Sequence, residues 1–202
     1  MKAINVAVLA FVVLLTASCQ DVQHRESAGG KDVRAGSDVS QVAQQVVEAF
    51  KAKDAAALAR LVHPVKGVRF SPSAYVDVKG DIVLFREQVG QFWADRKTHT
   101  WGFAEGTGDP IRMTPSQYCD RYIMNRDFSH PSSINVNHDR AMGNTNNNAA
   151  VVYPQGTRVE YFIEPSGGKG SPEFDWAALR LVFEASQGSW FLVAVIHDEW
   201  TP

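Results

Sequence analysis

Cysteine is scarce: of 202 residues only Cys19 and Cys119 are cysteines. Two thiols cannot make the disulfide framework that staples small secreted domains. An excess of one charge is also missing. Twenty Lys and Arg face twenty-two Asp and Glu, for a net charge of −2, which leaves no electrostatic footprint for nucleic acid. The apolar run near the start, Val6 to Leu15, is too short to cross a bilayer as a stable helix. Motifs of compact chemistry are lacking too. His63, His99, His130, His138 and His197 are scattered, with no H-x-x-x-H, H-E-x-x-H or C-x-x-C, so no metal site is expected. There is no G-x-S-x-G, and the glycines from Gly102 to Gly108 have neither the spacing nor the Lys-Ser/Thr ending of a phosphate loop. No cofactor is expected.

What is present begins with a leader. Lys2 supplies a positive start, Val6 to Leu15 an apolar centre, and the small residues Ala17 and Ser18 precede Cys19. The stretch Leu14-Leu15-Thr16-Ala17-Ser18-Cys19-Gln20 resembles the lipobox of bacterial lipoproteins, with Thr16 where Leu is usual. The resemblance implies cleavage before Cys19 and a diacylglyceryl group on its thiol, with further acylation of the new amine. More than one acyl chain gives stable membrane anchoring. It also implies that Gln20, in place of Asp, directs the protein outward, to an outer membrane facing the periplasm where the host has two membranes. A plain secretory signal with an incidental cysteine is the alternative. Residues 1–18 are thus expected to be a signal peptide and 19–37 a lipidated, flexible tether, polar and Gly-containing, in which His24 is idle. Loss of Lys2 leaves the mature chain one unit more negative. With Cys19 lipidated, Cys119 has no disulfide partner and reads as a buried, inert thiol.

Residues 38–202 hold enough apolar and aromatic residues for one domain with a real core. Val39, Val42, Ala43, Val46, Val47 and Phe50 recur at helical spacing after a cap at Ser37 or Asp38. Asp54 caps a second helix carrying Leu58, Leu61 and Val62, stopped by His63-Pro64. Strands are expected near Val68 and Phe70, at Tyr75–Val78 and at Thr100–Phe103; a Gly80-Asp81 turn leads to an apolar segment, Ile82–Phe85, and a helix through Val89, Phe92 and Trp93. Thr114-Pro115 opens a further helix with Tyr118, Cys119, Tyr122 and Ile123 on one side. Asn125 to Asn148 reads as loop, its Asn and Gly residues favouring turns. From Val151 onward the chain reads as strand: 151–153, then alternating stretches around Tyr161 and Leu181, and a last strand from Trp190 that is apolar on both faces and therefore central. The segment Ala-Phe-Lys-Ala-Lys-Asp-Ala-Ala-Ala-Leu-Ala-Arg-Leu-Val-His-Pro, followed by short strands and closed by a long antiparallel pair, resembles the NTF2-like α+β cone. That fold packs N-terminal helices on a bent antiparallel sheet around a cavity. The C-terminal Trp-Phe-Leu-Val-Ala-Val-Ile-His-Asp-Glu-Trp-Thr-Pro is similar to the tail of an uncharacterised family of secreted bacterial proteins, and brings no chemistry with it.

In such a cone His63, Trp101, Tyr161, Asp175 and His197 are the candidate pocket residues, with Arg121 as a further polar group. His197 and Asp198 are strand neighbours that point to opposite faces, so they make no dyad. His197 with Asp175 is the better acid/base pairing. No catalytic set is recognisable. The leading expectation is therefore a membrane-anchored envelope protein whose domain binds a small ligand or a protein partner without catalysis. The alternative is an isomerase- or hydrolase-type enzyme using a pocket histidine.

Overall fold

The computed structural model describes residues 38–140, 145–166 and 174–200. The signal, Cys19, Gln20 and the tether lie outside the described residues.

Asp38 caps the first helix, accepting from the Ser40 amide at 3.1 Å, and α1 (Val39–Lys51) follows. Its spaced Val42, Ala43, Val46, Val47 and Phe50 are all buried. Lys53 takes a left-handed φ of 54°, which turns the chain. Asp54 then caps α2 (Ala55–Leu61) by accepting from the Ala57 amide at 2.9 Å. A short α3 (Arg86–Val89) comes next. The helix expected through Phe92 and Trp93 ends at Val89 and continues only as turns. Thr114 and Gln117 make a reciprocal capping box for α4 (Pro115–Tyr118), which runs into a π-helical turn, Cys119–Ile123.

Six strands form one sheet in the order β2 (Val83–Leu84), β1 (Val68–Ser71), β8 (Ser189–Glu199), β7 (Ala177–Ser186), β6 (Thr157–Ile163) and β5 (Ser133–Val136). Every joint is antiparallel except β1 with β8, which is parallel. The last strand is central, as its two apolar faces require. A separate ribbon pairs β3 (His99–Phe103) with β4 (Pro110–Met113). The fold class is the expected α+β, with N-terminal helices on a bent, antiparallel-dominated sheet.

The space between helices and sheet is filled. Phe50, Leu58, Phe70, Phe92, Trp101, Tyr118, Phe128 and Tyr161 pack there with Leu179, Leu181, Phe183, Leu192 and Val195 from the sheet. Phe70 is the hub. Its ring lies 5.6 Å from Phe92, 5.5 Å from Trp101 and 6.0 Å from Tyr118.

Other expectations change as well. Residues 151–153 start no strand; Ala149–Val152 is a helical turn, α5. Tyr75–Val78 is not a strand but part of a turn. Both follow from Asn148, whose side chain accepts from the Val76 amide at 2.8 Å and donates to its carbonyl at 3.1 Å. One amide side chain thus takes the place of a neighbouring strand. Within the stretch expected to be loop, 125–148, four residues form β5. Finally, strict alternation in β8 fails at a bulge. Val182 pairs with Ala194 and Phe183 with Leu192, leaving Val193 over. Leu192 therefore joins Val195 in the main core, while Ala194 and Ile196 face the other side.

That other side is partly ionic. Arg180 Nε donates to Glu160 at 2.7 Å and Nη2 to Asp198 at 2.7 Å, all three buried. The Arg140 amide completes the cover, donating to Glu160 Oε1 at 2.8 Å, with its guanidinium 4.3 Å over Phe162.

Candidate functional site

Because side chains alternate along β8, His197 and Glu199 share a face and Asp198 turns to the buried Arg180. The face bearing His197 and Glu199 borders a cleft of about 190 Å³, closed by the π-helical turn, the β3–β4 ribbon and Pro72–Ala74. Phe103, Ile111 and Tyr122 form its apolar wall; Arg121, Glu105 and Thr145 are polar.

Glu199 organises the polar wall. Its Oε1 accepts from Arg121 Nη2 at 2.7 Å and its Oε2 from Asn125 Nδ2 at 3.0 Å. His197 Nε2 stands 3.5 Å from Oε2. Burial works against the charged carboxylate, yet His197 and Arg121 more than offset it and hold Glu199 down at about 2. The Arg121 guanidinium also lies 4.8 Å over the Tyr122 ring, and His197 meets that ring edge-on at 5.4 Å. The imidazole is nearly sealed, and neither nitrogen has a hydrogen-bond partner among the described residues. A carboxylate fully engaged in holding a guanidinium, beside a buried imidazole, is built for positioning a cation at the mouth of the cleft. Proton transfer would need the imidazole exposed.

Of the candidate pocket residues, His197 alone lines this cleft; Arg121 joins it. His63 sits at the end of α2, where its Nδ1 accepts from the Val65 amide at 3.2 Å and the Lys66 amide at 3.1 Å. Burial, then the Lys66 charge, lowers its pKa and keeps it the neutral acceptor that this turn needs. Trp101 is fully buried, stacked on Tyr118 at 4.0 Å, with Nε1 donating to the Met113 carbonyl at 2.9 Å. Tyr161 is buried in the main core, and burial followed by Glu48 pushes its pKa well up. Asp175 is on the surface, held by the Ser166 hydroxyl and by its amide at 3.0 Å, away from the cleft lining. Pairing His197 with Asp175 overlooked Glu199, which a period-two step from His197 points to directly. A second overlooked group is the buried Asp81. It accepts from Ser71 Oγ at 2.5 Å and from the Asp77 amide at 2.9 Å, and burial raises its pKa to about 6. Among the described residues no cluster of His, Cys, Asp or Glu is placed to hold a metal ion, and no helix is long and apolar enough to cross a membrane.

No protein-family model matches the chain, and neither does any curated protein. Solved structures with some likeness include a designed protein of the Rd1NTF2 series (TM-score 0.35, 14% identity, 79% of this chain and 95% of that one). A second comes from Xanthomonas campestris and is named for a calcium/calmodulin dependent protein kinase II association domain (0.36, 12%, 80% and 84%). A third is a DUF4783 family protein from Bacteroides ovatus (0.29, 12%, 78% and 94%). Likeness at this level says nothing of activity, and it is the order of strands and helices in the chain itself that defines the fold.

Proposed function

We propose that this is a lipid-anchored envelope protein, tethered through Cys19, whose domain binds a small ligand or protein partner without catalysis. The observation that carries the binding half is the filled interior. With Phe50, Phe70, Phe92, Trp101 and Tyr118 occupying the space where an NTF2-like cavity would open, the small cleft at the end of β8 is a surface recess that joins polar and apolar walls and carries His197. The anchoring half rests on the lipobox-like residues ahead of Cys19, and outer-membrane placement on Gln20.

Native mass spectrometry of the chain purified from membranes tests both. A mature protein starting at an acylated Cys19, carrying a co-purified small molecule or partner, supports the reading. An unmodified start downstream of Cys19 removes the anchor; a chain that is repeatedly empty and partnerless removes the binder. In cells, Cys19→Ser should abolish lipid labelling and move the protein out of the membrane fraction. An isomerase- or hydrolase-type enzyme is the second reading, favoured by His197 lying 3.5 Å from Glu199 at a cleft. Turnover of any substrate that is lost in His197→Asn while binding persists would replace the first reading by the second.

A further inference from the structure

Arg121 borders two hollows. On one side is the cleft with Phe103, Ile111 and Tyr122. On the other a wider, shallower groove of about 530 Å³ passes Arg112, Gln117 and Asp120. Glu199 and the Tyr122 ring hold the Arg121 guanidinium in place, and both Glu199 oxygens are already engaged, so the carboxylate serves as a brace. About half of the Arg121 side chain (49%) remains exposed. The Arg112 side chain, on the same groove, makes no ion pair or hydrogen bond among the described residues. The groove's acid, Asp120, is drawn aside to Lys53 at 3.4 Å.

One braced guanidinium and one uncommitted one, beside a short apolar wall, define a ligand by its chemistry. We propose that cleft and groove together take a small amphiphile: an anionic head, carboxylate or phosphate, between Arg112 and Arg121, with a short apolar tail along Phe103, Ile111 and Tyr122. This rests on the ligand-binding reading above and sharpens it. The fixed fork of a guanidinium matches the oxygens of either head group, and the brace means that little ordering is left to be done on binding. The cleft's volume of about 190 Å³ leaves room for a short tail.

A matched six-carbon series tests it: hexanoate, hexyl phosphate, hexanol and hexylammonium, titrated into the full-length chain and followed by amide NMR shifts and calorimetry. Hexanoate or hexyl phosphate should bind and shift amides at 103, 111, 121 and 122, and the tighter of the two names the head group. Hexanol should bind at least about fivefold more weakly and hexylammonium should leave those amides unmoved. Arg121→Gln should weaken the anion about tenfold and Arg112→Gln about threefold. Since Arg121→Gln also removes a brace from the fold, Arg112→Gln, an exposed change that should leave Tm alone, decides if the former is unstable. Equal affinity for hexanol, or affinity untouched by Arg112→Gln, overturns the anionic head. No binding by any member at millimolar concentration overturns the amphiphile altogether, yet leaves the co-purification test of the broader reading standing.

Discussion

A carboxyl group taken out of water is costly to ionise, and Asp81 and Glu199 resolve that cost in opposite ways. Burial dominates at Asp81 and lifts it from 3.8 to about 6. The folded chain then holds this proton more tightly than the unfolded chain does. Stability should therefore fall as pH rises between about 4 and 6. The whole loss is about 3 kcal/mol, because each tenfold difference in acidity between folded and unfolded chain is worth ~1.4 kcal/mol. Urea melts across that window should show the slope, and Asp81→Asn should flatten it; an unchanged slope would assign it elsewhere. At Glu199, Arg121 and His197 win over burial and depress the group from 4.5 to about 2. Its contribution is present above pH 4.5 and is lost as pH falls toward 2, so Glu199→Gln should erase that acid-side loss. The buried Cys119 thiol is pushed up to about 12 by burial and then by Asp120. Native protein at pH 8 should therefore resist alkylation by iodoacetamide and react only after denaturation. Rapid labelling of the folded chain would mean that the π-helical turn opens.

Elements with a period and a cap were legible in sequence; elements made by a distant side chain were not. Asp38, Asp54 and Thr114 each cap the helix that their position announces. The hairpin between β7 and β8 forms at Gln187 and Gly188, both at positive φ, 51° and 76°, which suits the twist of the flanking strands. By contrast, nothing local in Val151-Val152-Tyr153 tells that their β-branched residues will enter a helical turn. The cause sits at Asn148, whose amide is committed to the backbone of Val76, far back in the chain. Asn148→Ala should leave the buried Val76 amide and carbonyl without partners, costing about 1–3 kcal/mol. Asn148→Asp keeps the acceptor and loses the donor, so its thermal melt should fall between wild type and Asn148→Ala. If Asn148→Ala melts like wild type, the clamp is not what forms this turn. The bulge at Val193 was invisible for a related reason. It depends on the pairing of β8 with β7, and period-two counting along one strand cannot register an extra residue.

At the scale of the molecule, the candidate site emerged in part. His197 and Arg121 meet because a strand end and a π-helical turn converge through Glu199, while Trp101 and Tyr161 went inward to the packing of the domain. Aromatic residues at separate places in a sequence do not say whether they will line a cavity or fill it; only the relative depth of helices and sheet decides. Here they fill it, and Phe70 tests how completely. Its fully buried ring contacts three other aromatic rings contributed by separate segments. Phe70→Ala should cost about 3–5 kcal/mol, because the neighbours are themselves braced and cannot collapse into the gap. The hollow so made would be lined by rings and dry, so benzene should bind it and restore part of the lost Tm. The cleft, whose lining does not include Phe70, should keep its ligand affinity in the same variant. A loss below about 1 kcal/mol, or a variant that unfolds no earlier than wild type, would mean that the interior already has room. The case for a surface cleft over an internal cavity would then fall with it.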